Sequence, residues 1–384
     1  MPDLPFELAE YEARMDRLRA AMRERGLDAM FLFAQESMFW LTGYDTFGFC
    51  FFQSLVVTAD GRTALLTRSA DLRQAALTST VEDVRVWRDG ADADPCAALR
   101  ELAREMGLSR SRIGVERDTH GLTARNGRAL DAAMEGFAAM EDASDLVSRL
   151  RLVKSRAEIA YVREAGRLAD DAFDAALGAT EGGADESAIL AAMQGAVLAG
   201  GGDYPANPFV IGSGPAALLC RYRTGRRRLQ ASDQLTLEWA GVYRQYHVAA
   251  MRTLVVGHPR PEHERMWDAA VAALEAVENA MRPGRTFGDV FEAHREALDA
   301  HGFGHARLEA CGYSLGARYA PSWMEREMFV SGSREPIAPD MTLFAHMILM
   351  DSRTETAMCL GRTCLTTNGA PEPLSRLPLV MLPS

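Results

Sequence analysis

One carboxylate stands inside an apolar run, Leu235-Thr236-Leu237-Glu238-Trp239-Ala240. An acid in such a strand is costly unless something compensates it. Two readings follow for Glu238. It is a reacting carboxylate, attacking as a nucleophile or taking a proton from water, or it is the buried half of an ion pair. Cations lie upstream at Arg221, Arg223, Arg226, Arg227 and Arg228. Arg221 and Arg223 suit a clamp on a substrate carboxylate, because guanidinium grips that group bidentately. Arg226 to Arg228 read as surface or domain-contact charges. His247 could carry protons to a leaving nitrogen or serve as a core ring. Asp203 and Tyr204 follow a glycine-rich stretch and either line the mouth of a site or form a plain loop. Cys220 neighbours Arg221, but no Cys/His arrangement is legible. His263-Glu264-Arg265-Met266-Trp267 lacks the second histidine of a zinc helix.

The elements that must hold these residues fall into two parts. Residues 1–150 alternate helix and strand, as an α/β domain does. Glu10 to Arg25 reads as an amphipathic helix with Met15, Leu18 and Met22 on one face. Asp60-Gly61 marks a hairpin between Ser54–Thr58 and Arg62–Thr67. Residues 151–384 open on Ser155, three residues before Glu158, the pattern of a capping box. Helices are expected to about Leu177, over Glu186–Leu198, Glu262–Met281 and Phe287–Ala300. Strands are expected over 205–255, and short ones from Leu308 onward. Paired helices followed by strands, twice over, predict an α+β unit.

Composition narrows the function classes. The chain has 384 residues, 48% apolar and 25% charged, with a net charge of -11. An acidic surface argues against nucleic acid as a partner. No apolar run reaches membrane-spanning length, and Met1 to Glu7 does not read as a signal peptide. Six cysteines form no CxxC pair. They read as buried reduced thiols of a cytoplasmic protein, Cys50 among them in Phe49-Cys50-Phe51.

The order of several phrases resembles the creatinase/prolidase, or pita-bread aminopeptidase P, superfamily over nearly the whole chain. They are Leu152-Val153-Lys154-Ser155, Ser213-Gly214-Pro215, Met251-Arg252-Thr253, Gly312-Tyr313-Ser314-Leu315-Gly316 and Ile337-Ala338-Pro339-Asp340-Met341. The resemblance implies a creatinase-like α/β N-terminal domain and a pita-bread C-terminal domain. It also implies five metal-ligand positions, and at these the chain departs. Trp239 and Ala249 are placed where two aspartates are usual, Tyr313 where a histidine is, and His346 and Gly361 where two glutamates are. No metal and no cofactor are therefore expected.

Gly202-Asp203-Tyr204-Pro205, Arg221-Tyr222-Arg223, Leu237-Glu238-Trp239-Ala240 and Arg244-Gln245-Tyr246-His247 are similar to ectoine hydrolases, a metal-free branch that opens a cyclic amidine. This implies that Glu238 attacks the amidine carbon. Tyr313 would donate to developing charge, and His346 would do acid/base work or fill the emptied site. Trp40 and Tyr44, in a loop that commonly reaches a partner's active site in this family, are expected as substrate contacts in a homodimer. The reading is a metal-independent hydrolase of a non-peptide C–N bond in a small carboxylated, nitrogen-containing substrate. An Xaa-Pro peptidase, a dimethylsulfoniopropionate lyase-like enzyme and a non-catalytic binding module are the alternatives.

Overall fold

A computed structural model describes residues 2–221 and 225–381. Its contacts divide the chain into two units, Met1–Arg151 and Leu152–Ser384.

The first unit is a sheet of six strands, β1 (Ala29–Leu32), β2 (Ser54–Thr58), β3 (Thr63–Arg68), β4 (Val84–Trp87), β5 (Arg112–Val115) and β6 (Ala139–Asp142), in the order β4-β3-β2-β1-β5-β6. β2 runs antiparallel to both β1 and β3; the outer pairs are parallel. Alternate residues supply two cores. Phe31, Val56 and Ile113 face one side, while Met30, Leu32 and Val57 face the other. The helix expected from Glu10 is α1 (Leu8–Arg25), with Leu18 and Met22 fully buried. It stops at Gly26, whose φ of 69° is left-handed. The 54–68 hairpin forms as its Asp-Gly turn predicts. Cys50 departs from expectation. It ends a short 3-10 turn and is exposed, whereas Cys96, Cys311, Cys359 and Cys364 are buried thiols.

The second unit opens with α2 (Arg156–Ala179). The capping box is present in both halves: Glu158 N–H donates to Ser155 Oγ at 3.2 Å, and Ser155 N–H to Glu158 Oε2 at 2.8 Å. α3 (Glu186–Ala199), α4 (Pro261–Ala280) and α5 (Phe287–Ala300) follow the expected periods closely. The main strands are β7 (Val210–Ser213), β8 (Asp233–Tyr243), β9 (Tyr246–Val256), β10 (Gly312–Ser314), β11 (Thr342–Asp351) and β12 (Thr356–Leu365), ordered β10-β11-β12-β9-β8-β7. β11 and β12 are ten residues each, so the late strands are long rather than short.

Alternation decides what each face of this sheet does. Leu343, Ala345, Met347 and Leu349 pack with Ala270, Ala273, Leu274 and Val277 of α4. Gly241 and Trp239 face α2. A Cβ at Gly241 would lie 1.9 Å from Ala165 O, so only glycine lets the helix approach this closely. Trp239 Nε1–H donates to Ala169 O at 2.8 Å, and its ring stacks on Phe173. The other face carries Glu238, Ala249, Phe344 and His346.

Candidate active site

The β8–β9 hairpin sets the register. Tyr243 pairs with Tyr246 across Arg244 and Gln245, with φ of 49° and 68°, a two-residue turn with both central residues left-handed. From there Ala240 opposes Ala249 and Glu238 opposes Met251. Glu238, Ala240, Ala249 and Met251 therefore share a face, and Trp239 lies on the opposite one. The assignment of Trp239 to a ligand position is corrected accordingly: the residue of β8 on the same face as Ala249, two positions from its direct partner, is Glu238. An acid survives there.

Glu238, Arg221 and Tyr313 line one cavity of ≈ 280 Å³, together with Asn207 and Trp323. Glu238 is half-buried and opens on this space. Desolvation pushes its carboxyl up to about 7, against the pull of the Arg221 charge and a hydrogen bond from Tyr313. Such a carboxylate is poised between acid and base near neutrality. Tyr313 Oη donates to Glu238 Oε1 at 3.4 Å and accepts from Trp323 Nε1–H at 2.8 Å. Burial, then the charge of Glu238, raise the phenol well above its ordinary value. Tyr313 therefore keeps its proton and acts as a hydrogen-bond donor.

His346 sits beside this pair, its ring 5.7 Å from that of Tyr313 and 5.5 Å from that of Phe344. Burial pushes it down to about 3, with repulsion from His294 adding to the effect. It is a neutral ring near pH 7 packed against Tyr313 and Phe344, which fits the expectation of a ring filling the emptied site better than that of a proton donor. His247 is also neutral, lowered to about 4 chiefly by burial. Its Nε2 accepts the Ala206 N–H at 3.0 Å, so that lone pair holds the main chain of the 203–208 loop.

The remaining expectations separate. Asp203 Oδ2 accepts the Gln245 N–H at 3.3 Å and so braces the hairpin turn. Tyr204 is 79% exposed, and neither residue lines the cavity. Arg223 lies outside the described residues. Trp40 and Tyr44 are buried in the core of the first unit. Arg14 stacks over the Trp40 ring, and Tyr44 Oη bonds Gln53. Both rings are spent on that core, so they are corrected from substrate contacts to packing residues. Arg227 pairs with Asp233 as an internal ion pair.

Sequence reasoning missed Trp323 and Asn207. Trp323 N–H donates to Asn207 Oδ1 at 3.1 Å, which ties the 317–330 loop to the 203–208 loop. The available signal was a tryptophan two residues after Pro321 in a connection between strands, where binding residues concentrate.

Comparisons with known proteins agree with this architecture. The model of metallopeptidase family M24 matches residues 160–367, and that of the creatinase/prolidase N-terminal domain matches 14–153. Ectoine hydrolase of Halomonas elongata is 30% identical, over 88% of this chain and 89% of that protein. An Xaa-Pro dipeptidase of Pyrococcus furiosus is 25% identical over 45% of this chain and 49% of its own. A solved Xaa-Pro dipeptidase from Bacillus anthracis superposes with a TM-score of 0.85 at 19% identity, covering 97% of this chain and all (100%) of that one.

The metal that the family's description implies does not fit these residues. Ala249 and Gly361 offer no donor atom, and Tyr313 is a protonated phenol engaged by Trp323. The space over Gly361 is taken. A Cβ there would meet the Phe344 ring at 2.9 and 3.0 Å and Ala345 O at 3.1 Å. Among the described residues no group of three or more His, Cys, Asp or Glu side chains could hold a metal ion. Gly361→Glu should therefore cost roughly 1–3 kcal/mol by overpacking, read as a lower denaturant midpoint, and Phe344→Ala in the same chain should recover part of it. An unchanged midpoint for Gly361→Glu would mean the space is free. With altered ligand positions on a retained pita-bread scaffold, this chain belongs to metallopeptidase family M24, with a creatinase/prolidase N-terminal domain.

Proposed function

We propose that this protein is a metal-independent hydrolase of a non-peptide C–N bond, acting on a small carboxylated cyclic amidine of the ectoine type. The observation that carries the reading is one cavity holding a cation, a carboxylate poised near neutrality and a phenol donor, Arg221, Glu238 and Tyr313. Arg221 binds the substrate carboxylate. Ionised Glu238 attacks the amidine carbon, or takes a proton from the water that does. Tyr313 O–H steadies the charge that develops as the bond to nitrogen breaks. Water is added overall, and the nitrogen leaves protonated. The cavity volume of ≈ 280 Å³ suits a small substrate, and the name of the Halomonas relative supports the amidine class.

The same reading makes the protein a cytoplasmic homodimer that binds neither nucleic acid nor membrane. No helix among the described residues is long and apolar enough to cross a membrane. With Trp40 and Tyr44 buried, the aromatic side chain of the 46–51 loop best placed to meet a partner is Phe47, 81% exposed.

Titration calorimetry of chelator-treated Glu238→Gln tests the substrate class without turnover. Ectoine should bind and a glycyl-proline dipeptide should not. Binding of the dipeptide alone, restored by added divalent metal, would favour the Xaa-Pro peptidase reading instead.

A further inference from the structure

Indole is a donor only, since Nε1 has a hydrogen and no lone pair to offer. When Trp323 donates to Tyr313 Oη at 2.8 Å, it occupies the acceptor side of that hydroxyl. The phenol's own hydrogen must then point elsewhere, and the acceptor within reach is Glu238 Oε1 at 3.4 Å. We propose that Trp323 is a positioning residue: it fixes the Tyr313–Glu238 hydrogen bond in the direction that donates to the carboxylate. The proposal rests on the reading of Glu238 as the reacting group.

Direction matters because a hydroxyl can serve either protonation state. A phenol that donates stabilises ionised Glu238; one that turns to accept stabilises the protonated acid. Glu238 sits where desolvation favours the acid, so an unguided Tyr313 would follow it. Trp323 opposes that turn by holding the lone pair on its side of the oxygen, which leaves the hydrogen directed towards Glu238. Its own placement is fixed from both ends. The main-chain N–H is held by Asn207 at 3.1 Å, and the ring, 1% exposed, packs 6.3 Å from that of His247. His247 is in turn held through Ala206. The 203–208 loop thus acts on the carboxylate through Trp323 and Tyr313.

The test is a pH titration of the Glu238 carboxyl by carbon NMR in protein labelled with carboxyl-¹³C glutamate, the signal being assigned by its loss in Glu238→Gln. It needs no substrate, so its outcome is distinguishable from failure of the hydrolase reading in a turnover assay. Trp323→Phe keeps the ring and removes the N–H. It should raise the Glu238 midpoint by about half a unit or more. Tyr313→Phe should raise it too, and adding Trp323→Phe to Tyr313→Phe should move it no further, because the two act as one unit. Asn207→Ala, which frees the Trp323 main chain, should give a smaller shift of the same sign. It carries the same two-background comparison alone if Trp323→Phe does not fold. A midpoint that is unmoved by these changes, or moves equally with and without Tyr313, overturns the proposal.

Discussion

Glu238→Gln should abolish turnover, by about 10³-fold or more, in a protein that is still folded. The amide keeps the shape of the side chain and its bond to Tyr313, but it neither attacks carbon nor takes a proton. The variant should also be more stable than the parent, and by a margin that depends on pH. The sign follows from linkage. The folded carboxyl is raised to about 7 from an ordinary value of 4.5, so the unfolded chain ionises first. Folded stability falls as pH rises through this window. At pH 8 the parent holds an ionised, poorly solvated carboxylate, and glutamine removes that cost. At pH 5 most of the cost is absent. Thermal melts should show Glu238→Gln gaining a few degrees at pH 8 and much less at pH 5. Equal melting at both pH values, with activity retained, would return Glu238 to the role of an ordinary structural acid. In the parent, turnover should rise as pH increases through about 7, as the carboxyl loses its proton.

Arg221→Gln should raise KM by roughly 10–100-fold, the value of a charge-assisted hydrogen bond to a substrate carboxylate. kcat at high pH should fall much less, because Arg221 grips a part of the substrate that does not react. A second effect distinguishes this from loss of a surface charge. Arg221 pulls the Glu238 carboxyl down. Without it that group should titrate higher, and the acid limb of the profile should move to higher pH. A larger KM with an unmoved limb would place Arg221 on the substrate but away from Glu238. An unchanged KM would remove it from the binding site.

The two levels of structure differed in how legible they were. Helix limits and the hairpin turn were readable because each carries a local device, Gly26 after α1, Ser155 with Glu158 before α2, and Asp60-Gly61 between β2 and β3. Strand register was not. Leu235 to Ala240 is covered on both faces, so apolar residues fall at odd and even positions alike and the alternation that assigns a face is erased. The resemblance alone set Trp239 at a ligand position, and nothing in the run marked Glu238 as the residue that shares a face with Ala249. The turn at Arg244-Gln245 fixes the answer in the structure.

Chemical type in the sequence also said little about burial. His346 and His247 carry the residue type of proton carriers, and enclosure makes both neutral. Trp40 and Tyr44 sit in a segment suited to reach outward and face inward. Glu238, Arg221 and Tyr313 were legible as candidates, yet their convergence on one cavity needed β8, β10 and the connection after β7 in place. Trp323 belongs to a loop with no period to read, and beyond its residue type near Pro321 it is the bond to Tyr313 that marks it.

The most direct test of the central claim is proton NMR of chelator-treated protein with a pool of ectoine, hydroxyectoine, creatine and a proline dipeptide. The account predicts loss of the ectoine signals and growth of a ring-opened product, unchanged by the chelator. Turnover of the proline dipeptide alone, and only after divalent metal is restored, would contradict it.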